Sequence, residues 1–318
     1  MAAGPGIPTT NLQSVVAATD LSDNAATALR WAAAIAGDHR AHLHILNASN
    51  LAGWATDYLE IDAQIPSQIQ DATHQKLEET ASPLRQLGLT VTCEVRAGEP
   101  CEVILNTAEG RQADLIVVGA RGQRGLDYLL LGSTAQRVVQ RANCPVLTVH
   151  PQDAEKERPI RRILVATDFS AEADSALLAS LDLSSAVSTD TQVILLHAFL
   201  VPYDLLSTDG YVSSSSGLQQ WQTAQVEVEQ RLESRARSLR EAGYGVETIG
   251  LEGYPPEVII DKARQSVVDL IAMGTHGRTG LKHVLLGSTA ERVIHRAPCP
   301  VLTVRRLTKD QEGGNHAG

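Results

Sequence analysis

The residues with the clearest chemical potential are glycines. Gly119, Gly122 and Gly132 stand in the pattern G-x2-G-x9-G and run into Ser133-Thr134. Gly274, Gly277 and Gly287 repeat that pattern and run into Ser288-Thr289. A glycine has no Cβ, so its amide can come close to a phosphate and its backbone can turn through positive φ. Where the last glycine opens a helix, the first amides and the positive dipole end suit a polyphosphate. The Ser133 hydroxyl can cap that helix or donate to a phosphate oxygen. Arg121 and Arg124 add donors in the first copy, and His276, Arg278 and Lys282 in the second. Neither a Walker lysine loop nor the G-x-G-x-x-G dinucleotide fingerprint is present. A Gly-Ser-Thr run is also an ordinary helix start, and paired glycines often mark turns. The placement of the loop between a strand and a helix favours the phosphate reading. A second polar pair, Thr19-Asp20, ends another strand, and Thr167-Asp168 is its copy.

Those loops need elements to hold them. Residues 14–19 form a short apolar run that reads as a buried strand, followed by Ser22 or Asp23 as cap of an Ala-rich helix that Gly37 should stop. Strand 42–47, a polar helix over 67–86 that Pro83 should kink or shorten, and an alternating strand over 89–96 come next. Pro100 opens a helix to about Gly110, then strand 115–118, helix 133–142 and strand 145–149 complete the set. The second half repeats this order from residue 163 to residue 304. Strands that are apolar throughout and alternate with helices predict parallel sheets covered on both faces. In such sheets ligands sit beyond the carboxyl ends of the strands, where the strand order reverses.

The chain is one unit written twice. Residues 114–149 and 269–304 align without a gap at an offset of 155, with 23 of 36 positions identical. Its 318 residues therefore divide into a first domain over 11–150 and a second over 160–305, joined by a linker at 151–159 and followed by a flexible tail at 306–318. The formal charge of −10 and the 3% aromatic content argue against nucleic acid, which wants a basic face and stacking rings. No apolar run approaches the length of a membrane span, and the first ten residues lack the basic and apolar regions of a secretory signal. A soluble, cytoplasmic protein with reduced thiols is expected.

Both halves resemble the universal stress protein domain, in its ATP-binding branch, through the G-x2-G-x9-G-Ser motif and the terminal Cys-Pro-Val-Leu-Thr-Val strand. The resemblance implies two doubly wound domains, each with a five-stranded parallel sheet in the order 3-2-1-4-5 and helices on both faces. It also implies ATP, with or without Mg²⁺, across the first and fourth strands. Asp20 and Ala48 would then meet the adenine end, Val118 and Gly119 the ribose, and Gly122, Gly132, Ser133 and Thr134 the phosphates. The second half would use Asp168, Ala198, Met273, Gly274, Gly277, Gly287, Ser288 and Thr289. The family often has His at the end of the second strand; the second half keeps His197, and the first has Asn47.

Other clusters carry less. His39, His42 and His44 lack acidic or cysteine partners at metal-ligand spacing, and the four cysteines form no C-x-x-C pair. Cys144 and Cys299, each before a proline, read as small turn or buried residues. Residues 208–217 read as a solvated loop, with a lid over the second pocket as the sharper alternative. No general base is arranged, and Asp20 and Asp168 are the only evident metal carboxylates. The expected role is a nucleotide-binding regulator of stress adaptation. Slow ATP hydrolysis or phosphoryl transfer is one alternative, and a dimerisation scaffold with vestigial pockets is another. The last strand of each half, a sheet edge, is expected to pair with its copy inside the chain, which leaves room for a homodimer of the whole chain.

Overall fold

The computed structural model describes residues 12–49, 65–121, 131–156, 159–185, 190–200, 215–275 and 286–305. The first half runs β1 (Ser14–Ala18), α1 (Asp23–His39), β2 (His42–Ser49), α2 (Ile65–Gln86), β3 (Val91–Ala97), α3 (Pro100–Gly110), β4 (Leu115–Gly119), α4 (Ser133–Arg141) and β5 (Val146–Val149). The second runs β6 (Arg162–Ala166), α5 (Ala171–Ser185), β7 (Gln192–Phe199), α6 (Ser215–Glu241), β8 (Gly245–Glu252), α7 (Pro255–Gln265), β9 (Leu270–Gly274), α8 (Ser288–Arg296) and β10 (Val301–Val304). The strands lie in one sheet in the order β3-β2-β1-β4-β5-β10-β9-β6-β7-β8. Each half thus has the parallel strands expected from its alternating pattern, in the doubly wound 3-2-1-4-5 order that the family resemblance implied.

Strand alternation sorts the core into two faces. Val15, Ala17, Leu115, Val117 and Leu147 point to one face, where α1 buries Ala28, Ala32 and Ala36 and α2 buries Leu77 and Ala81. Val16, Ile116, Val118 and Val146 point to the other, under Ile104 of α3 and Val138 of α4. Both clusters continue into the second half, where α5 and α6 lie on the first face and α7 and α8 on the second. Because both faces are covered, the strands need no polar face, which is why they read as continuous apolar runs.

The halves join where β5 pairs antiparallel with β10. Leu147 faces Leu302, and these two residues are separated by the repeat offset of 155. They therefore mark a local two-fold axis within one chain. Gln136 of α4 and Glu291 of α8, also 155 apart, meet at 3.2 Å on the same axis. The pairing covers the edge that each half would otherwise expose.

Four local expectations change. Gly37 does not stop α1; the helix runs to His39, and Arg40 takes the left-handed turn at φ 55°, closing the end through Arg40 N–H to Gly37 C=O and Ala41 N–H to Ala36 C=O. The helix satisfies its last carbonyls this way whichever residue turns. Helix α2 continues three residues past Pro83, whose carbonyl still accepts from Leu87 N–H at 3.1 Å. A proline in the last turn forfeits one hydrogen bond without ending the helix. Between the halves, Pro151–Lys156 form a 3-10 helix. The fully buried Asp153 accepts from His150 N–H at 2.8 Å, and its carbonyl accepts from Trp31 Nε1 at 3.2 Å. Residues 215–217, expected within a loop, begin α6, while residues 201–214 and 306–318 lie outside the described residues.

Candidate functional site

At the end of β1, Ala18 pairs with Leu46 of β2 and with Val118 of β4. β1 then leads to a helix on one face and β4 to a helix on the other, so the chain parts there and leaves a crevice. The turn after β1 is fixed by short polar side chains. Thr19 Oγ1 accepts from Leu21 N–H at 3.0 Å, and Asp20 Oδ1 accepts from Ser22 N–H and Ser22 Oγ–H at 3.1 and 2.6 Å. Ser22 Oγ in turn caps α1 by accepting from Ala25 N–H at 3.2 Å. Leu21 sits at φ 60°. A branched side chain in the left-handed region is unusual, and such strain collects at functional loops.

The second half builds the same turn. Phe169 sits at φ 67°, its N–H bonded to Thr167 Oγ1 at 2.9 Å. Asp168 Oδ1 accepts from Ser170 N–H and Oγ–H at 3.0 and 2.5 Å. Both aspartates are half-buried at the crevice. Ala48 and Ala198, near the ends of β2 and β7, are half-buried too.

β4 ends at Gly119, and a Cβ there would lie 3.2 Å from the Arg121 carbonyl and 3.6 Å from Ala25 Cα. The contact with the first turn of α1 is an ordinary one, and the tight neighbour is the carbonyl two residues on, where the loop turns back over β4. Ala120 N–H bonds Val149 C=O at 2.7 Å, and Gly132 N–H bonds Ala120 C=O at 2.8 Å. The intervening loop thus leaves and returns at one point, delivering the chain straight into α4. In the second half Thr275 N–H bonds Val304 C=O at 3.0 Å and Gly287 N–H bonds Thr275 C=O at 2.9 Å. Val118 and Met273, at the ends of β4 and β9, are buried, while Gly119 and Gly274 are half-buried. Gly122, Arg124, Gly277, His276, Arg278 and Lys282 lie outside the described residues.

The N-caps of α4 and α8 are Gly132 and Gly287, and no side chain caps either helix. Ser133 and Ser288 are therefore the first helical residues rather than caps, with their side chains exposed. The first bond of α4 runs from Gln136 N–H to Gly132 C=O at 2.9 Å, so the Ser133 and Thr134 amides lie ahead of the helical ladder. Such amides are the donors an anion would use. Because β5 and β10 are antiparallel, the two crevices open at opposite ends of the shared sheet.

Residue types alone did not single out Asn47 and His150. Asn47 Nδ2 donates to the Thr19 carbonyl at 2.9 Å, and His197 Nδ1 reaches the Thr167 carbonyl at 2.6 Å. His150, buried behind the first loop, has its pKa pushed down to about 4 by burial, with the positive Arg121 acting in the same direction. Among the other candidates, His42 and His44 share a strand face with their rings 4.0 Å apart. His44 bonds Thr92 Oγ1 at 2.7 Å and is held near pKa 4, chiefly by burial. Burial likewise pushes the Cys144 thiol up to about 12, a poor nucleophile. Among the described residues no three His, Cys, Asp or Glu side chains group as a metal site, and no helix is long and apolar enough to cross a membrane.

The architecture defines a tandem doubly wound α/β protein with a glycine-framed crevice in each half. The profile of the Universal stress protein family matches residues 11–150 and again 159–305, and the chain belongs to that family. A universal stress protein of Mycolicibacterium smegmatis is 27% identical over 309 residues, covering 92% of this chain and 96% of the relative. A universal stress protein of Mycobacterium tuberculosis is 25% identical over 305 residues, with the same coverage of both chains. The crystal structure of a universal stress protein from Archaeoglobus fulgidus superposes with a TM-score of 0.67 at 26% identity, covering 92% of this chain and 98% of that one.

Proposed function

We propose that this chain binds ATP in its two crevices and acts as a nucleotide-dependent regulator of stress adaptation in the cytoplasm. One observation carries the reading: in both halves a loop closed at its base returns to an uncapped helix start beside the ends of the first and fourth strands. The Ser133 and Thr134 amides, and those of Ser288 and Thr289, would take phosphate oxygens, with Gly122 and Gly277 in the same loops. Asp20 with Ala48, and Asp168 with Ala198, would face the base, while Val118-Gly119 and Met273-Gly274 would flank the ribose. Mg²⁺ arriving with the nucleotide would sit at its phosphates, while the aspartates at the base end keep the serine hydrogen bonds that shape their turns.

The test is direct. Mass spectrometry of small molecules released from the purified protein, with calorimetric titration of ATP, should find adenine nucleotide at up to two sites per chain. Gly132→Val should remove one site and Gly287→Val the other, by filling the space a phosphate needs. No released nucleotide and no measurable ATP affinity would refute the proposal.

A further inference from the structure

The turn that carries each site aspartate is closed by a side chain from the neighbouring strand. In the first half this is Asn47 of β2, whose amide donates to the Thr19 carbonyl at 2.9 Å. In the second it is His197 of β7, whose Nδ1 lies 2.6 Å from the Thr167 carbonyl. A carbonyl only accepts, so Nδ1 carries a proton and the ring donates there as an amide N–H would. The carbonyls so held belong to the residues immediately before Asp20 and Asp168. The next residues, Leu21 and Phe169, have positive φ and bond back to the same threonines through Oγ1. Each threonine is therefore gripped at its amide by the neighbouring strand, at its hydroxyl by the turn and at its carbonyl by this one side chain.

We propose that Asn47 and His197 are equivalent positioning residues, each setting the aspartate turn of its own half through one hydrogen bond to a threonine carbonyl. The bond holds the strained turn in place before any ligand arrives, so the aspartate meets the base without an ordering cost. The two residues differ in sequence and size, yet their side-chain nitrogens end at the same backbone atom. This inference rests on the nucleotide reading for its binding consequence and on geometry alone for its effect on the turn.

The full-length chain tests both parts. Native-state amide exchange at Phe169 and Ser170 should quicken about tenfold in His197→Ala, the loss expected for one hydrogen bond worth about 1.4 kcal/mol. His197→Asn should keep the protection, because an amide reaches that carbonyl in the first half. His197→Phe should behave like the alanine variant, since it keeps a ring and loses the donor. Asn47→Ala should quicken Leu21 and Ser22 and leave Ser170 unchanged. In ATP titrations on the Gly132→Val background, His197→Ala should bind about tenfold more weakly and His197→Asn within about threefold of the parent, on the same energy scale. Unchanged exchange in His197→Ala, or full protection in His197→Phe, would overturn the assignment. A parent chain that binds no ATP would refute the nucleotide reading, and the exchange measurements would still decide the positioning role. Far-ultraviolet circular dichroism on each variant separates a loosened turn from an unfolded chain.

Discussion

Around the turn after β1, the first half places Leu21 and Asn47; around the turn after β6, the second half places Phe169, His197 and Phe199. His197 lies 4.5 Å from the Phe169 ring and 6.0 Å from Phe199, centroid to centroid. Arg231 and Arg235 of α6 stack on Phe169 at 4.2 and 5.0 Å, and Arg235 is tied to Asp174 at 2.7 Å. At the repeat offset of 155, the first half has Lys76 and Thr80 in place of the two arginines. The hydrogen-bond frame of the turn is the same in both halves, while the packing around it has diverged. A turn at positive φ depends on its backbone bonds, so these are common to both copies. The side chains behind it only need to fill space, and those have been replaced.

The junction shows divergence of another kind. In a dimer of identical subunits each residue on the axis would face its own copy. Here Gln136 faces Glu291, a complementary pair that only a duplicated chain can place on its own axis. Likewise His150 and Asp153 sit behind the first crevice, where the offset position of His150 in the second half is Arg305, whose Nη1 donates to the Arg141 carbonyl at 3.3 Å.

The comparison can be broken at its strongest point first. Leu147 and Leu302 are fully buried partners on the axis. Leu147→Ala and Leu302→Ala should each cost about 3–4 kcal/mol in urea unfolding, as large-to-small core changes do. Equal costs are expected, because each truncation opens the same central space; a large difference would show that the junction is not symmetric in energy. Next comes pH. His150 titrates near 4 when folded, below its unfolded value of about 6.5. The unfolded chain takes up the proton first as pH falls, so stability is intact above about 6.5 and is lost progressively down to about 4. Stability curves should drop by about 2–3 kcal/mol across that window from this group. His150→Gln should remove this group's share of the drop and leave that of His44, which is held near the same pKa, whereas Arg305→Gln should leave both in place.

A smaller effect concerns the segment between the halves. Trp31→Phe leaves the buried Asp153 carbonyl without its indole donor and should cost about 1–2 kcal/mol, read by thermal unfolding. An unchanged melting temperature would mean that the 3-10 turn is not held by this contact. The smallest effect is at the axis pair. Gln136→Glu should cost about 0.5 kcal/mol at low salt and nothing measurable at high salt, because two half-exposed carboxylates would then meet. Adding Glu291→Gln to that variant should restore the parent stability by exchanging the partners.

Much of the site could be read from residue types because glycines, short polar side chains and helix starts have few conformational alternatives. The G-x2-G-x9-G-Ser spacing placed the loops between strand and helix, parallel strands covered on both faces followed from alternation, and the strand order came with the family resemblance. The meaning of Asn47 was not readable. It looks like a departure from His197 until both side chains are seen to end on the same carbonyl. Gly119 looked purely ligand-directed, and the close approach of the Arg121 carbonyl adds a local packing cause. Ser133 looked like a cap, and the cap is Gly132, one residue earlier, with Ser133 the first helical residue. Such errors share an origin: a sequence pattern specifies local geometry to within a residue or so, and partners across the sheet only when the fold brings them together.

By itself the sequence determined the duplication, the parallel strands within each half and the position of the glycine loops, because these follow from periodicity and backbone freedom near in sequence. Only the tertiary structure decided that Leu147 meets Leu302, that Trp31 reaches Asp153, and that an asparagine and a histidine perform one task. Those contacts join residues from 28 to 155 positions apart. Contacts at that range are set by how sheets and helices pack as whole bodies, which no local pattern encodes.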